Sequence, residues 1–282
     1  MCLPGTQEIV RASSDKEPAR IGRRAALKAG LGAGMAATVA GPALAHAGSG
    51  AAPKLPGRMR DLTHLFREGF PVYTPPAPVR RDIKTIEADG FYAQEWTFGE
   101  HSGTHMDAPG HFVAGGRHVP QIAPWELIVP VVVIGIRRRA AENPDAVVRL
   151  KDILAFEARH GMIPKNAAVF MYSGWETRVG NPDAFLNADS EGTFHFPGFS
   201  IKALEWLLEE RDITCIGVDT ASLDKGESTT FDVHVTLLGA DRYGLENLAN
   251  LNTIPRHGTT AYVGVIPWEE GSGGPCRVIA TW

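Results

Sequence analysis

Cysteine is nearly absent from this chain of 282 residues, which has only Cys2, Cys215 and Cys276. No two of them have the spacing of a zinc finger or a redox pair, so any bound metal must be held by nitrogen and oxygen. Cys215 lies in an apolar run and reads as a small core residue; a disulfide to Cys276 is open but not required. An excess of one charge is also lacking. The net charge is −4 with Lys and Arg spread along the chain, which offers no basic surface for nucleic acid or an anionic membrane. The one dense triplet, Arg137-Arg138-Arg139, follows a strand-like run and is predicted to be a solvated strand end. Phosphate loops are missing too. Gly271 to Gly274 has neither the Gly-Lys-Ser/Thr ending of a P-loop nor the spacing of a dinucleotide fingerprint, and is predicted to be a tight turn.

Long uncharged runs are scarce after the first fifty residues, and the one near the start has the marks of a leader. Arg23-Arg24 precedes Leu27-Lys28, the stretch Ala29 to Ala45 carries no charge, and Ala43-Leu44-Ala45-His46-Ala47 ends it with small residues. This is the order of a twin-arginine signal peptide, so residues 1–47 are predicted to be removed on export to the periplasm or medium. The run is short for a membrane span and rich in Gly and Ala, and no stable membrane insertion is expected after processing. Residues 48–58 read as a flexible lead-in, and 59–282 as one folded domain.

Within that domain, Val129 to Ile136, Ala167 to Tyr172, Ile213 to Val218 and Ala261 to Ile266 read as buried strands. Leu150 to His160 and Ile201 to Glu210 have helical spacing, with Ser200 an N-cap for the second. Alternation of this kind predicts an α/β fold, a single domain with a mixed β-sheet flanked by helices. Arg178 to Phe199 reads as a long loop, either a cover over a substrate or a surface insertion.

What the chain does have is histidine in one place. His101, His105, Asp107 and His111 fall within eleven residues, in a chain with ten histidines altogether. Imidazole and carboxylate suit zinc or manganese where thiolates are missing, and Gly103, Pro109 and Gly110 let the segment bend around a centre. Two residues further on are less distinctive. His234 sits in the apolar alternation from Phe231 to Leu237, where it needs a partner or a metal. Glu246 is predicted on the solvated face of a helix. Asp219 and Asp224 are expected to cap or hydrogen-bond instead of forming a glycosidase pair. Trp96, Trp175 and Trp268 read as core, though Trp175, after Ser173-Gly174, is also a candidate for substrate contact. His195 is a second such candidate, with a surface role as its alternative.

The string His101-x-Gly103-Thr104-His105-x-Asp107-x-Pro109-x-His111-Phe112 resembles the signature of the cyclase family of metal-dependent hydrolases, which includes kynurenine formamidases and isatin hydrolases. Supporting matches are Asp61-Leu62-Thr63-His64, the segment Gly217 to Asp224, His234 with Leu237-Leu238 and Glu246, and Gly271 to Arg277. The resemblance implies a swivelling β/β/α-like fold and a homodimer or homotetramer. It implies that His101, His105 and Asp107 bind one metal, that Asp107, His234 and Glu246 hold a second where one is present, and that His111 is the acid/base residue. It further implies hydrolysis of a C–N amide bond in a small cyclic or aromatic amide. Two other readings stay open: an exported lactone or ester hydrolase, and a non-catalytic metal- or ligand-binding protein on the same scaffold. A spare histidine such as His111 favours catalysis.

Overall fold

A computed structural model describes residues 57–282; the expected leader and most of the lead-in lie outside the described residues. The strands are β1 (Met59–Asp61), β2 (Val79–Lys84), β3 (Ala93–Thr97), β4 (His105–Asp107), β5 (Ile128–Gly135), β6 (Val147–Val148), β7 (Ala168–Tyr172), β8 (Gly198–Phe199), β9 (Cys215–Val218), β10 (Tyr243–Glu246), β11 (Thr259–Val265) and β12 (Gly273–Thr281). The helices are α1 (Ile86–Asp89), α2 (Arg137–Glu142), α3 (Leu150–His160), α4 (Pro182–Leu186), α5 (Ile201–Arg211) and α6 (Asp232–Gly239). Residues Arg81–Glu95 are the described part of a smaller unit, with α1 capped by the Thr85 side chain and an ion pair between Lys84 and Asp89 at 2.8 Å.

The larger unit, Leu55–Arg80 with Trp96–Trp282, is organised by one mixed sheet in the order β1-β12-β11-β5-β7-β9-β10-β4. β12 also pairs with β4, so the sheet closes on itself with β1 appended. The run β5-β7-β9-β10 is parallel and the remaining pairings are antiparallel. β5 shows why its sequence is apolar without a break. Val129, Val131 and Val133 face the interior of the closed sheet, whereas Val132 and Ile134 face the layer that holds α3, α5 and α6.

The four strands and two long helices predicted above are present within a residue or two. Ser200 caps α5 by accepting from Ala203 N, and Leu204 and Leu207 are buried beneath it. Two expectations are corrected. Arg137 to Arg139 begins α2 instead of ending a strand, and Arg139 pairs with Asp152 at 2.5 Å. Arg178 to Phe199 is ordered by α4, by a bridge between Ala188 and Phe194, and by β8. Cys215 and Cys276 are both buried free thiols in the sheet interior. Among the described residues no helix is long and apolar enough to cross a membrane.

Candidate active site

The floor of the site is β4. Met106 points into the closed sheet and is fully buried, so the strand period of two turns His105 and Asp107 to the opposite side. β10 runs antiparallel beside it with Glu246 opposite His105. Leu245 takes the inward position, which leaves the Glu246 carboxylate on the same side as the other two. Glu246 is therefore a buried strand residue, not part of a solvated helix; the pairing of β10 with both β9 and β4 overrides the helical reading.

His234 comes from α6, an element that its apolar surroundings in the sequence did not identify. Its start is set by Asp224, whose carboxylate accepts from the backbone N–H groups of Val233 and His234 at 3.0 and 3.1 Å. The same carboxylate accepts from His234 Nδ1 at 2.7 Å. That leaves Nε2 facing the centre. His105 is held alike, with Nδ1 donating to Gly103 O at 2.9 Å.

The donors converge. His105 Nε2 lies 3.3 Å from both Asp107 Oδ1 and Glu246 Oε2. His234 Nε2 is 3.1 Å from Glu246 Oε1 and 3.5 Å from Asp107 Oδ2. His101 Nδ1 is 2.6 Å from Asp107 Oδ1, and the His111 ring stacks on His101 with centroids 3.8 Å apart. All six sequence candidates for metal and proton chemistry thus meet in one place. Ligand atoms lie within 4.8 Å of one another in two triads that share Asp107: His105 with Glu246, and His101 with His111. This grouping differs from the one the resemblance implies, because the strand ladder sets His105 directly against Glu246.

The residues fit a divalent cation. His105 Nε2 and Asp107 Oδ2 are buried without a hydrogen-bond partner, at a cost of about 1–3 kcal/mol each unless something fills the gap. The electrostatics make the same demand. Burial alone would lower His105, but Asp107 and Glu246 override it and push its pKa up to about 10. Burial works against a protonated His234 too, and Asp107, Asp224 and Glu246 still hold its pKa well above the ordinary value. Burial would raise Asp107, yet the charge of His105 and the bond from His101 keep it well below the usual carboxylate range. The carboxylates call for positive charge between them, and a cation supplies it in place of protons. His111 differs: burial lowers it to about 4, against the opposing pull of Asp107.

Above the floor is a cavity of about 430 Å³ whose lining includes Val72, Tyr73, Pro75, Phe112, Phe231, Ser222 and Asn247. Tyr73 is braced edge-on by Phe194, Phe196 and Phe231, at centroid distances of 5.1, 6.3 and 5.8 Å. The segment Arg178 to Phe199 therefore shapes the cavity through the residues behind its wall. Trp175 is not brought to the cavity. It is buried with Phe185 and Phe196, and its Nε1 donates to Phe185 O at 2.7 Å. His195 is not brought there either; it pairs with Asp145 at 2.9 Å. Sequence reasoning missed Tyr73, Phe231 and Asn247 as cavity residues. Tyr73 precedes Thr74-Pro75-Pro76 and has no periodicity to mark it, and the left-handed backbone of Phe231 and Asn247 (φ 51° and 55°) is invisible before folding.

A buried centre of histidine and carboxylate at the foot of a cavity, on a closed mixed sheet backed by helices, defines a metal-dependent hydrolase. Residues 60–225 match the Cyclase family, described as putative cyclase, and the chain belongs to it. It is 35% identical to isatin hydrolase of Roseibium aggregatum over 221 residues, covering 75% of this chain and 83% of the relative. It is 26% identical to kynurenine formamidase of Bordetella pertussis over 186 residues, covering 61% and 79%. Among solved structures, isatin hydrolase A from Ralstonia solanacearum superposes with a TM-score of 0.75 at 35% identity, over 79% of this chain and 91% of that one.

Proposed function

We propose that this enzyme hydrolyses the C–N amide bond of a small cyclic or aromatic amide, as isatin hydrolase or an arylformamidase would, with one or two zinc or manganese ions. The observation that carries the reading is the buried donor set beneath a cavity walled by Tyr73, Phe112 and Phe231. Such a cavity suits a flat apolar ring with one polar edge turned to the floor.

When bound, a divalent cation supplies Lewis acidity and makes hydroxide available near neutral pH. Asp107, shared between the two triads, fixes the charge at the centre. Gly103 O and Asp224 keep His105 and His234 turned with Nε2 inward. His111 is neutral at neutral pH because of its burial. It can take a proton from the attacking water and return it to the leaving nitrogen, which an anilide-like amine needs in order to depart. Phe112 and Phe231 cover the ring and exclude bulk water.

The test is acid release from metal-loaded protein offered an aryl lactam, an N-formyl arylamine and the matching lactone. Turnover of an amide that stops with chelator and returns with metal supports the proposal. Turnover of the lactone alone transfers the assignment to esters, and no turnover of any of them favours a binding protein. Export of the mature chain and assembly as a homodimer or homotetramer belong to the same proposal. Residues 1–47 support the first; N-terminal sequencing of the secreted protein and light scattering test the two.

A further inference from the structure

His101 is held through both ring nitrogens, and its second partner lies outside the donor set. Nδ1 faces Asp107 Oδ1 at 2.6 Å, and Nε2 lies 3.1 Å from Ser272 Oγ. The Ser272 hydroxyl in turn donates to Glu100 Oε2 at 2.6 Å, and Ser272 N–H donates to the same oxygen at 2.9 Å.

The direction of this chain of bonds follows from what each group can do. A carboxylate only accepts, so the single hydroxyl proton of Ser272 goes to Glu100. The Ser272 oxygen is left with lone pairs, and His101 Nε2 must be protonated and donate to them. Asp107 also only accepts, so without a cation Nδ1 donates to it as well. A cation held at Asp107 would take the place of that proton and leave Nε2 as the protonated nitrogen, with the Nδ1 lone pair open to the metal. His105 and His234 have the opposite arrangement, with Nδ1–H bound to Gly103 O and Asp224 and Nε2 turned inward.

The backbone around Ser272 is shaped for this contact. A Cβ on Gly273 would lie 2.5 Å from His101 Cε1 and 2.4 Å from the Met106 carbonyl oxygen, so only glycine lets the ring lie against the strand. Trp268 supports the far side, donating from Nε1 to Gly273 O at 2.9 Å. Ser272 O and Gly271 O accept from Ala108 N and Val119 N at 2.9 and 2.8 Å, which ties the turn to the segments after β4. The Gly-rich segment that reads as a plain turn is thus a mount for one histidine.

We propose that Glu100 and Ser272 are positioning residues that lock His101 as its Nε2–H tautomer and present Nδ1 to the metal. The proposal rests on the reading of the site as a metal centre. Two measurements test it on the full mature chain. In zinc-loaded protein with ¹⁵N-labelled histidine, two-bond proton–nitrogen correlations should show His101 protonated at Nε2, its signals assigned by their loss in His101→Asn. Protonation at Nδ1 overturns the proposal without any positioning variant. In chelator competition, Ser272→Ala and Glu100→Leu should bind zinc about 10- to 100-fold more weakly and change the visible spectrum of the cobalt form. Glu100→Gln keeps an acceptor oxygen for Ser272 and should stay within about 3-fold of wild type on the same orienting logic. A folded Ser272→Ala with wild-type zinc affinity and cobalt spectrum overturns the positioning role and leaves the metal centre standing. A wild-type chain that takes up no zinc overturns both.

Discussion

Among the described residues, two clusters bring histidine and carboxylates together, and they are built in opposite ways. Asp107 is buried, as are His105, His234 and Glu246 around it, and two polar atoms of the cluster have no hydrogen-bond partner. Around His195 the ligand atoms of Asp145, His195 and Glu227 also lie within 4.8 Å of one another. There, however, each group already has a partner: His195 Nδ1 sits on Asp145, its Nε2 faces Asp189 at 3.4 Å, and Glu227 pairs with Lys225. Proximity of ligands is common to both. What marks the first as a site is demand left unmet by the protein: orphaned atoms and carboxylates that no Lys or Arg neutralises.

The comparison breaks most visibly at Asp107, whose oxygens serve both triads. Asp107→Ala should abolish tight zinc or manganese binding and reduce amide turnover to background, as read by metal analysis of protein purified without added metal. Retained stoichiometric metal would show that the centre does not depend on its shared carboxylate. His111→Ala should keep metal and lose about 10²- to 10⁴-fold in kcat, the range for a missing acid/base group. Loss of metal in that variant would move His111 among the ligands, as its place in the triad with His101 and Asp107 allows.

Much of this centre was legible in the sequence because β4 and the turn after it deliver His105, Asp107 and His111 from one short segment. Glu246 was placed on a helix and His234 on no element, although the resemblance put both in one site. Their elements depend on long-range partners: α6 starts on Asp224, and β10 is a strand because β4 and β9 flank it. The same holds for Trp175, whose Ser173-Gly174 approach suggested a pocket loop. Asp219 accepts from Ser173 N, Gly174 N and Trp175 N at 3.0, 2.7 and 3.2 Å and draws that turn into the core. Tertiary hydrogen bonding of this sort leaves no periodic trace. The continuous apolar strands left a strong one, since burial on both faces shows in composition alone.

Glu176 falls between the two clusters: half-buried, without a cation, its carboxylate accepting from Asn250 N. Burial raises its pKa to about 7, with Asn250 N opposing and Asp219 adding repulsion. A carboxyl raised in the folded state contributes stability below its unfolded pKa near 4.5, and that stability is lost as pH rises through about 7. Glu176→Gln cannot ionise and keeps an oxygen for Asn250. After discounting for solvent screening, it should gain about 1 kcal/mol at pH 8.5, or ~3 °C in Tm. The gain should shrink steadily toward pH 4.5. A loss at pH 8.5 would mean that the charge is satisfied after all.

The smallest effect is expected at His195, and it decides whether unmet demand is the right criterion. The hydrogen bond that His195 donates to Asp145 raises its pKa, partial burial opposes this, and Asp189 adds to the rise. Its contribution to stability is therefore complete below the ordinary value of 6.5 and fades as pH rises past the folded value. Because the pair is solvent-accessible, His195→Ala should lower Tm by no more than about 2 °C at pH 6, and by less at pH 8.5. Metal content and kcat/KM should stay within about 2-fold of wild type, as for a half-exposed ion pair that does not line the cavity. Should this variant lose an equivalent of metal, a satisfied and half-exposed cluster would have proved as good a site as a buried, orphaned one. Ligand spacing alone would then be the property that matters, and the contrast between the two regions would carry no information about function.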